Sequence, residues 1–148
     1  MFLAYDPNTN PLNQNEWAFP LAECFHIASF ALSIGTIAVV DLRMLGLGLM
    51  KRTPAQLLKD TGLWTLAGLV IVITSGLAIF SSDPVMYYRN NSFRFKILAL
   101  LAGIIYNYTV HRKVALSGAS PGLNMAVGAV SIIIWLSVVF GGIFIAFI

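Results

Sequence analysis

FPLAECFHIASFALSIGTIAVVDLR, residues 19–43, decides the fold. From 19 to 40 only Glu23, Cys24 and His26 are ionisable, and the rest is apolar or small. A bilayer's hydrocarbon core is about 30 Å thick and takes roughly 20 such residues in helix. The stretch therefore reads as a transmembrane helix whose few polar groups need an explanation. Trp17 suits the membrane interface and Pro20 fits a first helical turn.

Working outward, the same signature recurs at 63–80, 95–110 and 123–148, the third being short unless it runs through Tyr108 to His111. The 148 residues are 58% hydrophobic and only 10% charged, with mean hydropathy +0.82. Soluble domains carry about 25% charged residues. The expectation is an all-α integral membrane protein, a four-helix transmembrane bundle forming a single domain over 1–148. In the first connection Thr53 can cap a short surface helix at about 54–60 that begins on Pro54, and GASP, residues 118–121, makes a turn before the last helix.

Charge sets the expected orientation. Arg43, Lys51, Arg52, Lys59, Arg112 and Lys113 fall on one side, and Arg89, Arg94 and Lys96 on the other. The positive-inside bias places the first group in the cytoplasm, so both termini face outward (N-out/C-out) across a bacterial inner membrane. MFLAYDPNTNPLNQNEW is polar and carries no Lys or Arg, which is no signal peptide, so the first span directs insertion. The net charge of +3 is spent on topology, which argues against a nucleic-acid partner. Cys24 cannot form an intrachain disulfide and reads as a small packed residue.

At 100° per residue Glu23, His26, Ser29, Ser33, Thr36 and Asp41 share an arc of about 140°. Lipid offers no hydrogen-bond partners, so this face should look into the bundle. In the third span Lys96, Gly103, Asn107 and His111 likewise share a side. Gly68, Ser75 and Gly76 in the second span, and Asn124, Gly128, Ser131, Trp135 and Gly142 in the fourth, read as packing stripes.

Depth sorts the ionisable groups into two clusters. Glu23 and Lys96 should pair about one turn below the outer surface, with His26 a turn deeper. Asp41, Arg43, Asn107, His111 and Arg112 should gather at the inner end, where Asp41 and Arg43 can pair with each other or Arg43 can meet lipid headgroups. Haem b in a bundle core is held by histidines on facing helices. His26 and His111 stand at levels about a helix diameter apart, so a shared haem is disfavoured and His26 is the candidate haem ligand. No Cys/His spacing suits zinc, and no Ser-His-Asp set lies at common depth.

Glu23-x-x-His26, Gly35, Asp41-Leu42-Arg43-x-Leu45-Gly46 and Asn91-x-Phe93-x-x-Lys96-Ile97-Leu98 together resemble a family of uncharacterised small bacterial four-helix membrane proteins. More distantly the layout is similar to the four-helix membrane protoporphyrinogen oxidase and to copper-resistance D membrane domains. The oxidase resemblance implies haem b, with His26, Arg43 and Lys96 as the corresponding residues. Two functions are expected. One is a small membrane module of a redox or electron-transfer system, either binding haem b through His26 or serving as an accessory subunit of a larger membrane complex or homo-oligomer. The other is a membrane enzyme of porphyrin metabolism.

Overall fold

A computed structural model describes residues 5–147. Its frame is four long helices: α1, Ala18–Met44; α2, Pro54–Ser82; α3, Asn91–Leu116; and α4, Pro121–Phe144. All four are long and apolar enough to cross a membrane, and the described residues contain no strand. They form an antiparallel bundle in which the start of α1 and the end of α4 lie at one end, called here the terminal end. The other end carries Arg43, Lys51, Arg52, Lys59, Arg112 and Lys113, on the helix ends and the connection after α1, and is called the basic end. α1 packs along α2 and α4, and α3 packs along α4, while α2 meets α3 chiefly at Arg112–Leu116. α1 and α3 are thus diagonal, and much of the α2–α3 seam is open.

Local chemistry sets the helix ends. α2 begins at a capping box: the Gln56 amide N–H donates to Thr53 Oγ1 at 3.2 Å and the Thr53 amide N–H donates to Gln56 Oε1 at 3.0 Å, with Pro54 as the first helical residue. Asn90 and Ser120 cap α3 and α4 singly, each side-chain oxygen accepting from the amide of Phe93 or Leu123, without a reciprocal bond. α1 ends in a Schellman motif: the Leu47 amide reaches the Leu42 carbonyl at 2.8 Å and the Gly46 amide the Arg43 carbonyl at 3.1 Å. Gly46 takes φ +78° there, which explains the glycine of the DLRxLG run.

The helices run beyond the apolar windows. No separate surface helix exists at 54–60, because Lys59, Asp60, Thr61 and Gly62 contain no helix stop and α2 continues through them. The Arg52–Asp60 ion pair at 3.0 Å and the Thr61 hydroxyl on the Leu57 carbonyl lie along that extension. A 29-residue helix is about 43 Å long, which reaches through the headgroup layer as well as the hydrocarbon. α3 likewise extends past 110, through a π-helical segment at Asn107–His111.

Buried apolar side chains form two clusters. Ile37, Leu69, Trp135 and Val138 fill the middle of the bundle, and Val40, Met44, Leu57, Ala115 and Val127 fill the basic end. Leu21, Phe25, Ile27, Leu63, Leu77, Leu98 and Ile133 are exposed, as lipid-facing residues must be.

Candidate functional site

Two polar connections cross the diagonal between α1 and α3, one near each end. At the terminal end His26 sits between Ser75 of α2, 2.9 Å from Nδ1, and Lys96 of α3, whose Nζ is 3.4 Å from Nε2. The Ser75 hydroxyl donates to the Ile71 carbonyl at 2.6 Å, so it accepts from His26 Nδ1–H. That tautomer leaves Nε2 as an acceptor for the Lys96 ammonium. Lys96 also lies 5.8 Å from the Phe30 ring centroid, a cation–π contact that helps to replace its lost water. Gly76 makes room: a Cβ there would lie 3.1 Å from the imidazole.

The expected Glu23–Lys96 pair is not formed. Among the described residues the acidic groups in contact with a basic side chain are Asp60, with Arg52, and Asp41, with the His111 imidazole, and Glu23 is exposed. Glu23 lies one turn before His26 and further round the helix, so imidazole, not carboxylate, meets the amine. Cys24 is also exposed, on the outer surface rather than packed. Outside the spans, burial and then the Glu23 carboxylate push the Tyr87 phenol above its ordinary range. Tyr87 is itself buried against the Phe80 and Phe93 rings.

At the basic end, His111 Nε2 lies 2.6 Å from Asp41 Oδ1, and the Ser131 hydroxyl donates to Oδ2 at 2.8 Å. The His111 and Asp41 side chains are 1% and 2% exposed. With Ser131 donating to one carboxylate oxygen, Nε2–H donates to the other. α4 comes close enough because residue 128 is glycine: a Cβ there would stand 3.1 Å from the Asp41 carbonyl. Asn107 is buried one turn above His111. Arg43 does not join them; its Nε donates to the Arg52 carbonyl at 2.5 Å and ties down the connection after α1.

Between these clusters the polar face of α1 looks at α2 rather than α3. Ser33 Oγ donates to the Ser29 carbonyl at 3.0 Å, and Thr36 Oγ1 lies 2.7 Å from Thr65 Oγ1. Most of these hydroxyls are committed to carbonyls of their own helix, as is usual for Ser and Thr in apolar surroundings. They pack two helices without linking the two clusters.

A cleft of about 430 Å³ opens beside the Asp41–His111 pair, between α1, α2 and α3. Ile37, Val40, Leu66 and Tyr108 contribute to its walls; Lys59 and Arg112 stand at its basic edge, and Asn107 and His111 line it. Asn107 Oδ1 and His111 Nδ1 are buried without hydrogen-bond partners.

Haem b would need a free nitrogen on His26 and room beside it. Both ring nitrogens are engaged and the imidazole is packed against Gly76, so iron at Nε2 would displace Lys96. His26 as placed does not fit the group. His26, Arg43 and Lys96 do not form one site either, because 17 residues of α1, about 25 Å of helix rise, separate His26 from Arg43.

Ser75 and Ser131 read from sequence as packing residues, but Ser75 hydrogen-bonds His26 and Ser131 donates to the Asp41 carboxylate that holds His111. Their position on bundle-facing stripes was the available signal. No curated protein and no solved structure matches the chain. A family model does match over residues 17–148, and the chain belongs to that family, described as a family of unknown function (DUF6644).

Proposed function

We propose that the protein is a small integral membrane module of a redox or electron-transfer system, an accessory subunit whose Asp41–His111 pair accepts and returns the proton that accompanies electron movement. The observation that carries this reading is a carboxylate and an imidazole 2.6 Å apart inside a membrane bundle, beside a cleft. Ionisable groups in a membrane interior are costly and mark proton or substrate sites. A carboxylate behind an imidazole fixes its tautomer and steadies its cationic form, which is how such pairs handle protons in enzymes.

Six of the nine Lys and Arg residues stand at the same end as the pair, which supports a cytoplasmic position for it and an N-out/C-out arrangement in a bacterial inner membrane. Trp64, Tyr88 and Phe140 are exposed and are available to a neighbouring subunit. The porphyrin-enzyme reading has no comparable support, because its three residues are spread over both ends of the bundle.

The test is reduced-minus-oxidised infrared difference spectroscopy on native membranes, poised electrochemically. A carboxyl or imidazole band that appears on reduction and is lost in Asp41→Asn is the expected result. Identical difference spectra for wild type and Asp41→Asn would refute the proposal.

A further inference from the structure

The α2–α3 seam carries the 430 Å³ cleft at its basic end, and a second cleft of about 420 Å³, apolar but for Lys96, lies further along it between residues 72–80 of α2 and 93–104 of α3. From 58 to 80 the seam runs about 33 Å by helix rise, longer than one leaflet of a hydrocarbon core about 30 Å thick. Its basic end is charged. The apolar run of α2 begins at Leu63 and that of α3 ends at Val110, so Lys59 and Arg112, both exposed, stand at headgroup level on the two helices that flank the cleft. Among the described residues neither cation has an ion-pair partner and no acid lines the cleft: Asp60 is paired with Arg52, and Asp41 with His111.

We infer that the basic end of this cleft holds an anionic phospholipid, its phosphate at Lys59 and Arg112 and an acyl chain against Val40, Leu58 and Leu66. The polar groups of the wall select that chemistry. The hydroxyls of Thr36, Thr61 and Thr65 donate to carbonyls of their own helices. Asn107 Oδ1 and His111 Nδ1 are buried and take no part. What remains, the two cations, the Asn107 NH2 and the Tyr108 hydroxyl, can all donate. The occupant therefore brings acceptors and negative charge at one end and hydrocarbon at the other. Basic pockets between membrane helices bind anionic headgroups in this way. A zwitterionic lipid has the same phosphate but carries a cation of its own, which two uncompensated cations disfavour.

Gly62 gives the cleft its room. Leu58, Gly62, Thr65 and Leu66 share one face of α2 by their three- and four-residue spacing, and Gly62 lies at its centre. A Cβ at Gly62 meets nothing within 4 Å, so a leucine there takes up cleft space without displacing the protein's own packing. The lipid site stands apart from proton handling by the Asp41–His111 pair, and either can fail alone.

The probe is palmitoyl-oleoyl phosphatidylglycerol, compared with phosphatidylcholine of the same chains, titrated into the purified full chain in detergent and read by native mass spectrometry. Phosphatidylglycerol should bind at least about tenfold tighter, the preference that two cations near a membrane surface give. Lys59→Gln with Arg112→Gln should erase that preference. Gly62→Leu, which keeps both cations, should weaken binding of both lipids. Lys51→Gln with Lys113→Gln removes the same charge at the same end but outside the cleft, and should leave the preference intact. Circular dichroism checks that each variant is folded. Equal binding of the two lipids overturns the inference, as does undiminished binding to Gly62→Leu. An equal loss in the Lys51 and Lys113 double variant also overturns it, because the attraction is then a diffuse one to the whole basic end. Displacement of the lipid by inorganic phosphate at matched ionic strength does the same, since the site then takes a free anion.

Discussion

The two histidines occupy opposite chemical situations. His26 has both nitrogens engaged by neighbours on different helices, whereas His111 has one strong partner and one bare nitrogen. Removing the imidazole in His111→Ala leaves Asp41 as a buried charge short of its partner, and such breaks cost about 3–5 kcal/mol. Ser75→Ala removes a hydrogen bond in a membrane interior, where measured averages are about 0.6 kcal/mol. Unfolding titrations in mixed detergent should show that order, His111→Ala far below Ser75→Ala. Glu23→Gln should fall within about 0.5 kcal/mol of wild type, as exposed substitutions do; a loss as large as that of His111→Ala would restore the ion pair with Lys96. The sequence showed that Glu23, His26 and Lys96 lie near one level, but partner choice depends on side-chain reach and direction.

At the scale of elements, close approach of α1 and α2 depends on Gly68. A Cβ there would collide with Ser33 Oγ and lie 2.9 Å from the Ser29 carbonyl, while Gly62 has nothing within 4 Å. Gly68→Ala should cost about 1–3 kcal/mol, and Gly62→Ala should be neutral or stabilising by about 0.5–1 kcal/mol, measured in the same titrations. The π-helical segment makes a second prediction. Deleting Thr109 lets α3 close into a regular helix, and because four α-helical steps turn the chain as far as five wider π-helical ones, His111 keeps nearly its direction. Circular dichroism should then show helix content retained, and adding His111→Ala to the deletion should bring about the same further loss of stability as it does in the full chain, because the pair survives the deletion. Four spans were legible from hydropathy, as were the caps at Thr53 and the turn at GASP. The π segment was not, because Asn-Tyr-Thr-Val-His carries no local signal for it. The continuation of α2 through 59–62 was missed because a hydropathy window ends at polar residues, whereas a helix ends only where its hydrogen bonding is stopped.

On the scale of the whole molecule, the bundle uses the Ser33, Thr36 and Thr65 hydroxyls for packing and sets its two polar connections, each joined by a serine, at opposite ends of a diagonal. Grouping Asp41, Asn107 and His111 at one end was readable from helix rise alone. Arg43's departure to the Arg52 carbonyl, and the cleft along the open α2–α3 seam, follow from how four helices pack and have no counterpart in the order of residues. The proposed orientation is tested by labelling: with Cys24→Ala as background, it predicts that Lys51→Cys reacts with a membrane-impermeant maleimide only from the cytoplasmic side. The central claim is that the Asp41–His111 pair does chemistry and is more than a staple between helices. Replacing both partners with apolar residues of similar volume removes the charges without leaving one buried alone, a change that is often neutral or stabilising. The decisive measurement is proton uptake on electrochemical reduction of native membranes carrying Asp41→Val together with His111→Leu. The account predicts a stably folded double variant whose redox-linked proton uptake is lost; a stably folded variant with wild-type uptake would contradict it.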